Sequence, residues 1–292
     1  MSGDSERDGS LPDQQASRPL GPNSPGSDAR PHRARKRFGQ HFLMDRTVRE
    51  RIVDVLAPEN AECVVEIGPG RGAITDLLAV RARRLVAIEL DRDLAALLRD
   101  RYSHQPSVSI VEGDVLETNL AALAGGPFVL VGNVPYYITT PILFHALKHP
   151  RPQRAVFLVQ REVASRMVAL PGSGDYGALS VNLQALASVR IVMKVPAGAF
   201  APPPKVDSAV VLVEPRAVPL VEADEEERLR NLVLSVFALR RKQMRRVLRT
   251  VAGLDVEGAE RVLELEGIPH EARPEELPPE RFVRLMRALS QR

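Results

Sequence analysis

The chain of 292 residues is poor in sulfur and in aromatic rings, with one cysteine, no tryptophan, four tyrosines and eight phenylalanines. A single thiol, Cys63, excludes an internal disulfide framework and a cysteine-based zinc site. It lies in an apolar run and reads as a buried small hydrophobe. No stretch approaches the roughly 18 continuous apolar residues of a membrane span, and the first residues lack the apolar core of a signal peptide. A cytoplasmic protein with no membrane partner is expected. Residues 1–35 contain no Val, Ile or Phe and are crowded with Ser, Gly, Pro, Asp and Arg. They cannot bury enough surface to offset the entropy of ordering, so a disordered tail is expected there.

The rest has the composition of an ordinary globular protein, 44% apolar and 26% charged. The formal charge is only +3, but 40 Lys and Arg with a pI near 9.2 point to clustered basic surface and an acidic polymer as partner. A basic run, Arg30, Arg33, Arg35, Lys36 and Arg37, leads into Phe38-Gly39-Gln40-His41-Phe42-Leu43. Charge runs are usually only solvated; the adjoining aromatic segment favours phosphate contact by Arg35, Lys36 and Arg37, with a loop closing over a ligand.

Four apolar runs end in chemistry. Cys63 to Ile67 reads as a buried strand that delivers the turn Gly68-Pro69-Gly70-Arg71-Gly72 into a helix starting near Ala73. Glycines there let a backbone approach a ligand, although their spacing is not that of the dinucleotide fingerprint and no P-loop follows. Leu85 to Ile88 ends in Glu89, a carboxylate placed to take both hydroxyls of a ribose, and Val108 to Val111 leads to Asp114, which can accept from an adenine amino group. A surface acid and a helix cap are the plainer readings of those two. Phe128 to Gly132 delivers Asn133-Val134-Pro135-Tyr136. An uncharged amide, a rigid proline and a flat ring suit a flipped-out adenine, its ring on Tyr136 and its amino group bonded to the Asn133 carbonyl. Further along, Ala155 to Val159 reads as a fifth strand and Pro171 to Gly177 as a mobile loop. From Glu222 the pattern turns helical. Arg241, Lys242, Arg245, Arg246 and Arg249 fall on one helix face opposite Met244, Val247, Leu248 and Val251, which favours contact with an RNA backbone.

With these segments together, the chain from about Lys36 onwards resembles the S-adenosylmethionine-dependent ribosomal RNA adenine dimethyltransferases. It is most similar to those that dimethylate two adjacent adenosines in the 3′-terminal hairpin of small-subunit (16S) RNA. The segments that carry the likeness are Arg37 to Leu43, Glu66-Ile67-Gly68-Pro69-Gly70, Ile88-Glu89-Leu90-Asp91, Gly113-Asp114 and Asn133 to Tyr136. The resemblance implies an α/β class I methyltransferase (Rossmann-like) fold, a seven-stranded sheet over residues 36–220, followed by a small all-helical RNA-binding domain over 221–292. It implies S-adenosylmethionine as methyl donor, no metal, and a monomer acting on small-subunit rRNA within the immature subunit. By position, His41, Leu43, Gly68, Glu89, Asp114 and Asn133 are expected to bind the cofactor. Asn133 and Tyr136 are expected at the target base, with Phe200 as a second stacking ring; a core Phe beside the run Pro202-Pro203-Pro204 is the competing reading. His41 and Tyr137 stand where Asn is frequent in the family. The implied alternatives are a large-subunit rRNA methylase of the antibiotic-resistance type and a mainly non-catalytic ribosome assembly factor.

Overall fold

A computed structural model describes residues 41–290. The expected tail 1–35 and the basic residues Arg35, Lys36 and Arg37 lie outside the described residues. In chain order the strands are β1 (Phe42–Leu43), β2 (Cys63–Ile67), β3 (Leu85–Glu89), β4 (Val108–Glu112), β5 (Phe128–Asn133), β6 (Arg154–Gln160), β7 (Ala187–Val195), β8 (Phe200–Ala201) and β9 (Ser208–Pro215). The first seven helices are α1 (Arg46–Leu56), α2 (Thr75–Arg81), α3 (Arg92–Arg101), α4 (Leu120–Ala124), α5 (Thr139–Ala146), α6 (Arg161–Val168) and α7 (Ala178–Leu186). Four more, α8 (Glu226–Ala238), α9 (Met244–Val251), α10 (Val256–Leu265) and α11 (Pro279–Ser290), close the chain.

Seven strands form one sheet in the order β4-β3-β2-β5-β6-β9-β7, parallel except for β9, which runs against both its neighbours. Near-continuous apolar strands are what a sheet covered on both faces requires. In β2, Cys63, Val65 and Ile67 point into one apolar cluster and Val64 into the other, so the two faces alternate residue by residue. Strand order reverses between β2 and β5, where loops diverge to opposite sides and a crevice opens at the carboxyl ends. β1 and β8 form a separate antiparallel pair with Leu43 opposite Phe200.

The closing helices share an apolar cluster with α7. Tyr176 is fully buried, its hydroxyl donates to the Leu277 carbonyl at 2.8 Å, and its ring meets Phe237, which stacks on Phe282. The Pro171–Gly177 segment, expected from its glycines to be mobile, is thereby tied down. The Gly172 amide donates to the Glu275 carbonyl at 2.7 Å, and Arg240 donates to the Gly174 carbonyl at 2.9 Å. The basic cluster is also arranged differently from the expected single helix face. The chain at Gln243 is extended, so α9 starts at Met244 and carries Arg245, Arg246 and Arg249, while Arg241 and Lys242 lie in the preceding turn. All five are exposed. Met244 fixes this start, being buried and donating its amide to the Ala272 carbonyl at 2.7 Å. Among the described residues no helix is long and apolar enough to cross a membrane.

Candidate functional site

A cavity of about 310 Å³ sits at the switch between β2 and β5. Its lining includes His41, Leu43, Gly68, Glu89, Asp114, Asn133 and Tyr136. Seven residues drawn from 96 positions of chain thus meet in one place. Phe200 does not line it. The ring is 4% exposed and packs in the cluster that holds Leu43, Val195 and Ala199, because pairing with β1 turns it inward. The five basic residues 241–249 are likewise absent from the lining.

The glycine turn forms the floor. Gly68 and Gly70 have φ of +66° and +60°, and a Cβ at Gly70 would stand 3.4 Å from the Phe42 ring. Residues with a side chain occupy that backbone region at a cost of roughly 1–2 kcal/mol. The helix expected near Ala73 begins at Thr75, since residues 70–74 continue as turns. Glu89 secures the turn from the next strand: its Oε2 accepts from the Gly70 amide at 2.9 Å and its Oε1 from the Asp91 amide at 2.8 Å. Burial pushes its carboxyl up, the amides of Asp91 and Gly70 working against that shift. A carboxylate has about four acceptor sites, so Glu89 retains capacity for a ligand hydroxyl. One Asp114 oxygen accepts from the Leu116 amide at 2.9 Å, which pins the carboxylate at the cavity wall.

Asn133 ends β5, and its Nδ2 donates to the His41 carbonyl at 3.4 Å. With the nitrogen so used, the amide oxygen is the atom left to accept. Tyr136 begins a short 3₁₀ turn, Tyr136–Ile138, and is half-buried; its hydroxyl and that of Ser208 share a hydrogen bond of 2.6 Å. Ser208 is fully buried at the start of β9, so it fixes the tyrosine from behind. The His41 ring stacks beside Tyr136 at 5.9 Å between centroids, and its Nδ1 donates to the Pro202 carbonyl at 2.8 Å.

Two of these contributors escape sequence reasoning. Ser208 follows Val206-Asp207 in an unremarkable strand start and has no local signal. Glu66 had one, a charged residue inside an apolar strand. It is 2% exposed at the carboxyl end of the central strand, and it lines the cavity. Neither its Oε2 nor the Thr75 hydroxyl completes a hydrogen bond among the described residues. Burial pushes the Glu66 carboxyl up to about 8; the Thr75 hydroxyl opposes the shift, and the carboxylates of Glu89 and Asp76 add to it. A buried acid with one oxygen left unsatisfied, facing a cavity, suits a ligand that brings a positive charge. Together the lining can hold a diol, a base edge and a cationic group, with a neutral amide and a ring facing the remaining space.

The family model described as ribosomal RNA adenine dimethylase matches residues 31–291. A Ribosomal RNA small subunit methyltransferase A from Leptothrix cholodnii is 44% identical over 265 residues, covering 89% of this chain and 93% of that protein. One of the same name from Xanthomonas euvesicatoria pv. vesicatoria is 48% identical over 220 residues, covering 75% and 84%. Among solved structures, the 23S rRNA methyltransferase ErmE superposes with a TM-score of 0.67 at 32% identity, covering 86% of this chain and all of that one. A dimethyladenosine transferase from Plasmodium falciparum shares the fold, with a TM-score of 0.69 at 24% identity, covering 84% and 96%.

Proposed function

The chain belongs to the ribosomal RNA adenine dimethylase family, and on that premise we propose how its own residues carry the reaction. It is an S-adenosylmethionine-dependent methyltransferase that dimethylates adenosine amino groups in small-subunit ribosomal RNA. The large-subunit alternative is not favoured: the small-subunit relatives share 44% and 48% identity, against 32% for the 23S rRNA enzyme.

S-adenosylmethionine, when bound, supplies an electrophilic methyl group on a sulfonium centre. The cavity fits such a molecule because the orphaned Glu66 oxygen meets its need for a counter-charge while Glu89 retains acceptor capacity. In our reading Glu89 takes the ribose hydroxyls, Asp114 the adenine amino group and Glu66 the ammonium of the methionine part. Gly68 lies beneath that part, and His41 and Leu43 form the N-terminal wall. Asn133 belongs to both ligands. Its free oxygen accepts from the target amino group, which draws hydrogen towards the protein and leaves the nitrogen lone pair available for in-line attack. Tyr136, held by Ser208, offers the stacking face. Phe200 supports the wall at Leu43 from behind.

No strong base is required, because the amino group becomes acidic once methylated and sheds its proton to water. That is consistent with a neutral amide at the centre. A second round needs the same pocket to admit a base with one fewer hydrogen to donate, which one acceptor at Asn133 allows.

The finer target follows the family resemblance: two adjacent adenosines in the 3′-terminal hairpin, methylated on the immature small subunit by a monomer in the cytoplasm. The exposed residues Arg241, Lys242, Arg245, Arg246 and Arg249 support contact with the RNA backbone. The observation that carries the reading is the convergence of Gly68, Glu89, Asp114, Asn133 and Tyr136 on one cavity. The test is transfer of labelled methyl to small subunits that lack the modification, mapped by primer extension. Blocks at two adjacent adenosines near the 3′ end are expected; label only on large-subunit RNA would overturn the assignment.

A further inference from the structure

Of the four exposed residues that line the cavity, Arg71 is charged, while Met44, Leu90 and Tyr137 present mostly apolar surface. Tyr137 is 62% exposed, and Met44 and Leu90, 57% and 48% exposed, line the same mouth. Tyr137 stands apart from the other rings. Tyr102, Tyr176, Phe42, Phe128, Phe157, Phe200 and Phe282 are buried, and Tyr136, Phe144 and Phe237 are half-buried. Among the described residues it is therefore the one Phe or Tyr side chain presented mainly to solvent. It also sits next in sequence to Tyr136, on the same 3₁₀ turn. Leaving a large, mostly apolar ring in water forgoes the stabilisation its burial would bring. The position beside the pocket gives that exposure a use.

We propose that Tyr137 is a stacking platform for the nucleobase next to the one in the pocket. This rests on the RNA-methyltransferase reading above and extends it to a subsite outside the cavity. When one adenosine leaves its stack and lies on Tyr136, its neighbour on the strand loses a stacking partner as well. A flat exposed ring one residue along replaces that partner. Stacking is indifferent to which base is offered, so the platform serves whichever neighbour remains outside as either adenosine occupies the pocket. Met44 and Leu90 widen the apolar surface at the rim.

The contact lies outside the reacting atoms and is the same before and during methyl transfer. It therefore lowers KM for RNA and leaves kcat alone. The experiment compares wild type, Tyr137→Ala, Tyr137→Leu and Tyr137→Phe on unmodified small subunits. It measures KM, kcat, the share of methyl at each adenosine, and S-adenosylmethionine affinity by calorimetry. Loss of one base–aromatic stack raises KM for subunits roughly 5- to 100-fold in the Ala and Leu variants. Cofactor affinity and kcat hold, and Tyr137→Phe, which keeps the ring face, restores KM. Unchanged KM in Tyr137→Ala would overturn the platform, whatever the methyl distribution, as would full rescue by Tyr137→Leu. Absence of transfer by the wild type would instead remove the functional reading on which the platform stands.

Discussion

Replacing Glu66 by Gln isolates the electrostatics of the cofactor cavity. The carboxyl is buried, has an oxygen without a partner, and titrates at about 8 without a ligand, so at pH 7 it is mostly protonated. A cationic ligand placed against it favours the charged form, so binding expels a proton. Affinity for S-adenosylmethionine must then rise with pH up to about 8. If the bound form stays ionised at pH 6, linkage makes the gain between pH 6 and pH 8 roughly 50-fold. The variant is isosteric and cannot titrate, so its affinity is flat over the range attributable to Glu66. The sign for stability is opposite. The folded value is raised above the ordinary 4.5, so the unliganded protein is most stable below that value and loses stability as pH rises through about 8. That loss is of the order of several kcal/mol for a fully buried group, and Glu66→Gln escapes it. Titration calorimetry at pH 6, 7 and 8, in two buffers of different ionisation enthalpy, reads both the dissociation constant and the protons released. Equal affinity at pH 6 and pH 8 in the wild type, or an undiminished slope in Glu66→Gln, would refute the linkage.

Ser208→Ala leaves the half-buried Tyr136 hydroxyl without its partner, which costs about 1–2 kcal/mol of stability. Methyl transfer falls with it, and in a Tyr136→Phe background the substitution has no further effect; an additive loss in that double variant would break the proposed link. Arg246→Ala and Arg249→Ala each remove an exposed positive charge from α9. Each is expected to reduce the slope of log affinity for small subunits against log salt by about 1. Filter binding between 50 and 200 mM salt checks this, and an unchanged slope would take α9 off the RNA.

Much of the sheet was legible in the sequence because its central strands are buried on both faces and read as short apolar runs with glycine or acid at the end. Those ends are also where Glu89, Asp114 and Asn133 project, so the cavity followed from strand order. The burial of Phe200 was not legible, for a physical reason. A ring in a proline-rich loop looks the same whether it faces a pocket or a core, and only the pairing of Leu43 with Phe200, 157 positions apart, decides it. The split of the basic cluster at Gln243 was hidden likewise, because it depends on Met244 docking under Ala272. Ser208 acts through one contact with a residue 72 positions away, which no local pattern announces. The loop at Pro171–Gly177 carries glycines that suggest freedom, yet one buried ring, Tyr176, anchors it.

The most direct test of the site is single-turnover methyl transfer to unmodified small subunits by Asn133→Ala, with S-adenosylmethionine affinity measured on the same sample. Loss of an acceptor that matters chiefly in the transition state predicts a rate lowered at least 100-fold, about 3 kcal/mol, with cofactor affinity changed far less. A variant that still dimethylates both adenosines at close to the wild-type rate would contradict the central role of Asn133.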